Sequence, residues 1–167
     1  MRRLVLLTIA ALLLVPASAA SASGGHGDDA HRSVRRQLEQ VRRATYRFQN
    51  VRLAQRAGYV EFLDCFDSPD GGMGQHYVDL DALDGEVDHR HPEAMVYEVT
   101  PRGLRLVSVE YIVPSAFVDP ADPPELFGQD FHLNAELDVW ILHAWVWKHN
   151  PDGVFTDYNP RVRACPA

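Results

Sequence analysis

Three polar side chains stand where apolar surroundings make them costly unless they share a ligand. Across residues 138–149, alternation sets Val139, Ile141, His143, Trp145 and Trp147 on one side and Trp140, Leu142, Ala144 and Val146 on the other. Both sides are apolar, so a strand here is covered on both faces and His143 is buried or lines a cavity. Across 104–113, Leu104, Leu106, Ser108, Glu110 and Ile112 share one face and Val107, Val109, Tyr111 and Val113 the other. Glu110 is then a carboxylate inside an apolar strand, and it requires a cation, a metal, a hydrogen-bond donor or a retained proton. His76 follows the run Gly71, Gly72, Met73, Gly74 at the start of another extended stretch. Two imidazoles and one carboxylate on three strands are a ligand set for zinc, copper or iron, with positions left for water or substrate.

Each of these residues also has a plainer reading. His143 as a core histidine needs one hydrogen bond and no function. Glu110 has a candidate partner among the arginines of the N-terminal helix. The glycine run makes a sharp turn as readily as it lets backbone approach a ligand. The expected cavity is walled by Tyr111, Trp145 and Trp147, and without a metal it would serve a non-enzymatic small-molecule binding module in which the histidines and Glu110 are polar anchors. His89 and His91 form an H-x-H pair beside Glu86 and Asp88, and His132 and His149 are further imidazoles. The cupin metal pattern fails on this pair, because the glycine spacing before it and the glutamate after it are wrong. It is expected to be a solvated loop. No phosphate loop, nucleophile elbow, zincin helix or dinucleotide fingerprint occurs.

The elements that position these residues follow from hydrophobic period. Val34, Leu38, Val41, Thr45, Phe48 and Val51 step by three and four, which predicts one amphipathic helix over 33–57, capped by Ser33 and ended at Gly58. Beyond it the period becomes extended. Strands are expected at 59–66 and 73–80, joined by a turn at Ser68 to Gly72, and at 94–100 and 104–113 as a hairpin about Pro101, Arg102 and Gly103. Four prolines in 114–124 impose a surface loop, and 138–149 is the last strand, ended by Asn150, Pro151, Asp152 and Gly153. The expected fold is α+β, an N-terminal amphipathic helix packed on a curled antiparallel β-sheet or partial barrel.

Composition and charge bound the function classes. The chain has 167 residues, 46% of them hydrophobic, which fits one folded core once a leader is removed. Arg2 and Arg3, an apolar run to Val15, and the small residues after Pro16 read as a signal peptide over 1–22. A flexible leader over 23–32 and one α+β domain over 33–167 are expected to follow. The apolar run is shorter than the roughly 20 residues that span a bilayer, so no transmembrane segment is expected. An exported protein, secreted or held in the periplasm or cell envelope, would join its two cysteines, Cys65 and Cys165, as a disulfide. Eight arginines in 32–56 face one Glu39, whereas residues 58–167 carry six Lys or Arg and twenty Asp or Glu. A basic helix on an acidic body is expected to be neutralised at home, and the acidic total argues against a nucleic-acid partner. The expected partner is a small molecule or a metal ion.

The segments Met73 to Tyr77, Pro92 to Glu98, Val109 to Tyr111, Leu126 to Gly128 and Leu142 to Trp147, with Asn150-Pro151 and Asn159-Pro160 behind them, resemble a group of secreted bacterial proteins with no established activity. The resemblance spans most of 44–165 and implies that these segments form one domain. It implies no catalytic residue and no substrate.

Overall fold

The computed structural model describes residues 25–166; the stretch 1–22, expected to be a signal peptide, lies outside them. Helix α1 (Gly25–Thr45) leads through a 3-10 turn (Tyr46–Gln49) into α2 (Val51–Arg56). Eight strands follow: β1 (Val60–Ser68), β2 (Gly71–Val78), β3 (Ala94–Thr100), β4 (Gly103–Pro114), β5 (Glu125–Leu126), β6 (Gln129–Asp130), β7 (His132–Asn134) and β8 (Val139–Ala144). Six of them form a curled antiparallel sheet in the order β1-β2-β3-β4-β8-β7, and β5 pairs with β6 alone. The fold is α+β.

Two boundaries differ from the periodic reading. The helical stretch starts at Gly25, eight residues before Ser33, so part of the expected leader is helix, and Asp29 pairs there with Arg32 one turn on. The single expected helix is also broken in two. Asn50 adopts an extended backbone, and its side chain accepts from the Arg52 N–H, capping α2 afresh.

Strand parity divides the sheet into two unlike faces. One presents Tyr77, Met95, Tyr97, Val109, Tyr111 and Leu142, and the helices cover it with Val41, Phe48 and Ala54. The buried tyrosines on this side find acceptors: Tyr97 donates to Phe48 O at 2.8 Å, Tyr111 to His89 O at 2.7 Å and Tyr77 to Glu61 Oε2 at 3.3 Å. The arginines of the helices stay exposed on the far side. Arg32 pairs within its own helix, Arg42 Nε donates to Val146 O, and Arg47 lies 4.6 Å over the Phe48 ring. Among the described residues none of the eight reaches a carboxylate beyond Gly58, contrary to the neutralisation expected from charge balance. The helix buries its apolar stripe, and the sheet face beneath it is tyrosine and aliphatic.

The other face carries the polar residues, and the chain end crosses it. Cys65 and Cys165 form a disulfide that ties this tail to β1. Asn159, fully buried, pairs with Gly72 across an isolated bridge, its N–H donating to Gly72 O at 3.0 Å. Added side chains at Gly71 and Gly72 would meet Asn159 backbone and Arg163 O within 2.7 Å. The glycine run thus lets the tail backbone pass over the hairpin, a use of close approach that involves no ligand.

Candidate metal centre

The site is built on the face opposite the helices. Glu110 and His143 are direct partners of the β4–β8 ladder, and Glu110 lies opposite Ala94 on β3. His76 of β2 lies opposite Val96, two residues further along β3 on the same face. β3 therefore separates His76 from Glu110, and the β3 residues opposite them on this face are Ala94 and Val96, both fully buried. Their small size lets the longer His76 and Glu110 side chains meet above them. Gly74 prepares this approach: it has φ +118°, and a Cβ there would stand 2.5 Å from Tyr97 O.

His76 Nε2 lies 3.3 Å from Glu110 Oε2, and His143 Nε2 lies 3.4 Å from Glu110 Oε1. One ligand atom from each of the three lies within 4.8 Å of the others, so the group could hold a metal ion. All three residues are buried. The contacts do not satisfy hydrogen-bond geometry. His76 Nδ1 and both ring nitrogens of His143 are buried without a hydrogen-bond partner. Buried imidazole nitrogens seldom go unpaired, and of these His143 Nε2 faces Glu110, where a cation shared with His76 Nε2 would use it.

A fourth residue, Asp157, supports the group from the C-terminal tail. Its Oδ1 lies 3.4 Å from His143 Nδ1 and its Oδ2 lies 3.2 Å from His132 Nε2. A carboxylate behind a ligating histidine is the usual arrangement for fixing its tautomer and orientation. No period runs through 145–166, so only the fold reveals Asp157. Burial opposes charge on His143, yet Glu110 and Asp157 hold its pKa above the ordinary value. Burial likewise penalises the Glu110 carboxylate, and the charges of His143 and His76 outweigh it, so its pKa lies below the ordinary value. Asp157 is also penalised by burial, but the imidazoles of His132 and His143 beside it bring its pKa far down. The group thus favours one anionic carboxylate from β4 facing two imidazole rings, and a metal would compete with the proton on His143.

The group opens onto a cavity of about 280 Å³ lined by Phe62, Phe66, Met73, Ile112, Ile141 and Tyr158, among others. Phe66 packs edge-on to His76 with ring centroids 5.6 Å apart. Leu63, at φ 56°, marks a bulge in β1 on the cavity wall, where Gln75 Nε2 donates to Leu63 O at 2.9 Å.

The expected aromatic walls fall in different places. Trp145 stacks on His143, its ring centroid 6.4 Å away, but does not line the cavity, and its indole N–H donates to Thr156 O. Tyr111 lies on the opposite face of the sheet, in the core under the helices. Trp147 also leaves the site, packing near Tyr46 and donating to Thr45 Oγ1 at 3.1 Å. Both departures have local causes. Tyr111 neighbours Glu110 on one strand and therefore points to the other face. β8 ends at Ala144 instead of 149, because Trp145 N–H bonds to Val154 O and the N–H groups of Trp147 and Lys148 bond to Val107 O. Strand alternation therefore does not extend to Trp147. Glu110 also has no helix arginine to pair with, since the helices lie across the sheet.

His89, His91 and His149 stay apart from the group. His91 Nδ1 lies 2.8 Å from Asp88 Oδ2, and His89 Nε2 contacts Gln40 Oε1 at 2.7 Å, both in the loop between β2 and β3. His149 is exposed. No protein-family model, curated protein or solved structure matches the chain.

Proposed function

We propose that this protein binds one divalent transition-metal ion through His76, Glu110 and His143, and that the ion takes a small ligand from the adjoining cavity. The observation that carries this reading is the convergence of one ligand atom each from the buried His76, Glu110 and His143 within 4.8 Å, with His143 Nε2 facing the carboxylate and left without a hydrogen-bond partner. Two histidines and one carboxylate without a thiolate suit Zn²⁺ or Fe²⁺ better than Cu⁺. Three protein ligands leave coordination positions open, which is the arrangement of catalytic metal sites. The mostly apolar cavity favours a compact, weakly polar ligand at that position. Asp157 holds His143 from behind. The disulfide and the leader-like start support an exported protein, where zinc or iron would be bound outside the reducing cytoplasm. Among the described residues no helix is long and apolar enough to cross a membrane.

The test is elemental analysis of protein recovered through an oxidising export route. One equivalent of a transition metal per chain is expected, and His143→Ala should lose it while circular dichroism shows a folded protein. The cavity itself favours a second reading, a metal-free binding module for a small apolar molecule. Protein that contains no metal, and gains none on dialysis against Zn²⁺ or anaerobic Fe²⁺, would overturn the first reading and favour the second.

A further inference from the structure

From Gly58 onward the chain carries six lysines and arginines among twenty aspartates and glutamates. Five of those six, Arg102, Arg105, Lys148, Arg161 and Arg163, line one cleft of about 720 Å³ at the β3–β4 hairpin. Gathering like charges raises the energy of the folded state, so their convergence within an acidic body points to an anionic ligand. Glu98, the one carboxylate lining the cleft, is already engaged. It is buried, pairs with Lys148 at 2.6 Å and accepts the Arg163 N–H at 3.0 Å. Among the described residues the guanidinium groups of Arg102, Arg105, Arg161 and Arg163 have no carboxylate partner.

Both walls of the cleft are held rigidly. Thr100 ties the hairpin tip, donating to Gly103 O at 2.7 Å and accepting the Arg102 N–H at 3.2 Å. On the tail, Val162 is buried against Val107 and Trp145, so Arg161 and Arg163 on either side of it project outward. The Arg161 N–H donates to Asn159 Oδ1, Asn159 is anchored on Gly72, and the disulfide at Cys165 holds the end. The backbone that carries the arginines is therefore set before any ligand arrives, which lowers the entropic cost of binding.

We propose that this cleft binds a small oligophosphate anion. Guanidinium forks match phosphate oxygens two at a time, and four unpaired forks in a site of this volume exceed what one phosphate group can engage. No aromatic side chain lines the cleft, so a base has nothing to stack on, and the phosphate chain is the recognised part. The proposal is independent of the metal centre.

The test is calorimetric titration of chelator-treated full-length mature protein with inorganic triphosphate at low and moderate salt. Saturable one-to-one binding that weakens as salt rises is expected. Arg161→Gln with Arg163→Gln should weaken it about a hundredfold, near tenfold per lost charged contact, and Arg102→Gln with Arg105→Gln should do the same from the other wall. The exposed pair Arg35→Gln with Arg36→Gln on the helix should leave it unchanged. Orthophosphate and citrate should bind at least tenfold more weakly. Absence of saturable binding, unaltered binding by both cleft variants, loss with the helix pair, or citrate binding as tightly as triphosphate would each overturn the proposal.

Discussion

Glu110 and His143 face one another as register partners on β4 and β8, with Oε1 and Nε2 3.4 Å apart and no hydrogen bond formed between them. In the proposed metal centre, two adjacent strands would supply two ligand atoms on a rigid ladder, and His76 would supply the third by reaching over the small residues of β3. A site held this way needs no loop closure to assemble, so perturbing its supports should change affinity more than fold.

Asp157 is the first such support. Asp157→Asn removes the carboxylate behind His143 while keeping its volume, and it should weaken metal binding about 10–100-fold with little change in the unfolding midpoint. Competition against a chromophoric chelator measures the affinity. Unchanged affinity would mean that the tail does not orient His143.

Gly74 is the second. Its φ of +118° and the 2.5 Å approach to Tyr97 O leave no room for a side chain. Gly74→Ala should destabilise the protein by about 1–3 kcal/mol in denaturant titration and, by displacing β2, reduce metal affinity through His76.

The disulfide closes a sequence separation of 100 residues, which removes much of the freedom of the unfolded chain. Replacing Cys65 and Cys165 together by serine should cost about 2–5 kcal/mol in equilibrium unfolding. Since Arg161 and Arg163 sit on the tethered tail, triphosphate affinity should fall in the same variant.

Glu93 provides a pH signature. It is buried beside β4, its Oε2 accepts the Ile112 N–H at 3.0 Å, and burial raises its pKa from 4.5 to about 8. The folded state therefore holds a proton that the unfolded chain has released. The stability tied to this proton is complete below about pH 4.5 and is lost as pH rises through about 8, with a slope of up to about 1.4 kcal/mol per pH unit between them. Glu93→Gln keeps the acceptor for Ile112 and cannot ionise. Its stability relative to the parent protein should rise across that interval, as read from denaturant midpoints at successive pH values. A constant difference would show that Glu93 is ionised in the fold.

The strand period and the residue types determined much of the site before any coordinates. Alternation alone sets Glu110 and His143 among apolar neighbours, because side chains two apart on a strand must share a face. The hairpin about Pro101 to Gly103 rests on local turn chemistry and occurs where expected, with β3 at Ala94–Thr100. Two cysteines in a chain with an export-like start allow only one pairing, and that bond is present. Tertiary structure decided the rest. Parity says which residues share a face but not which face the helix covers, and that choice put Tyr111 in the core and left Glu110 without an arginine. Hydrogen bonds to Val154 and Val107 ended β8 early and carried Trp147 away, a decision made by partners far along the chain. The tail has no period to read, so the contact of Asp157 with His143 and the gathering of Arg161 and Arg163 with Arg102 and Arg105 exist only once the chain has folded back over β1 and β2.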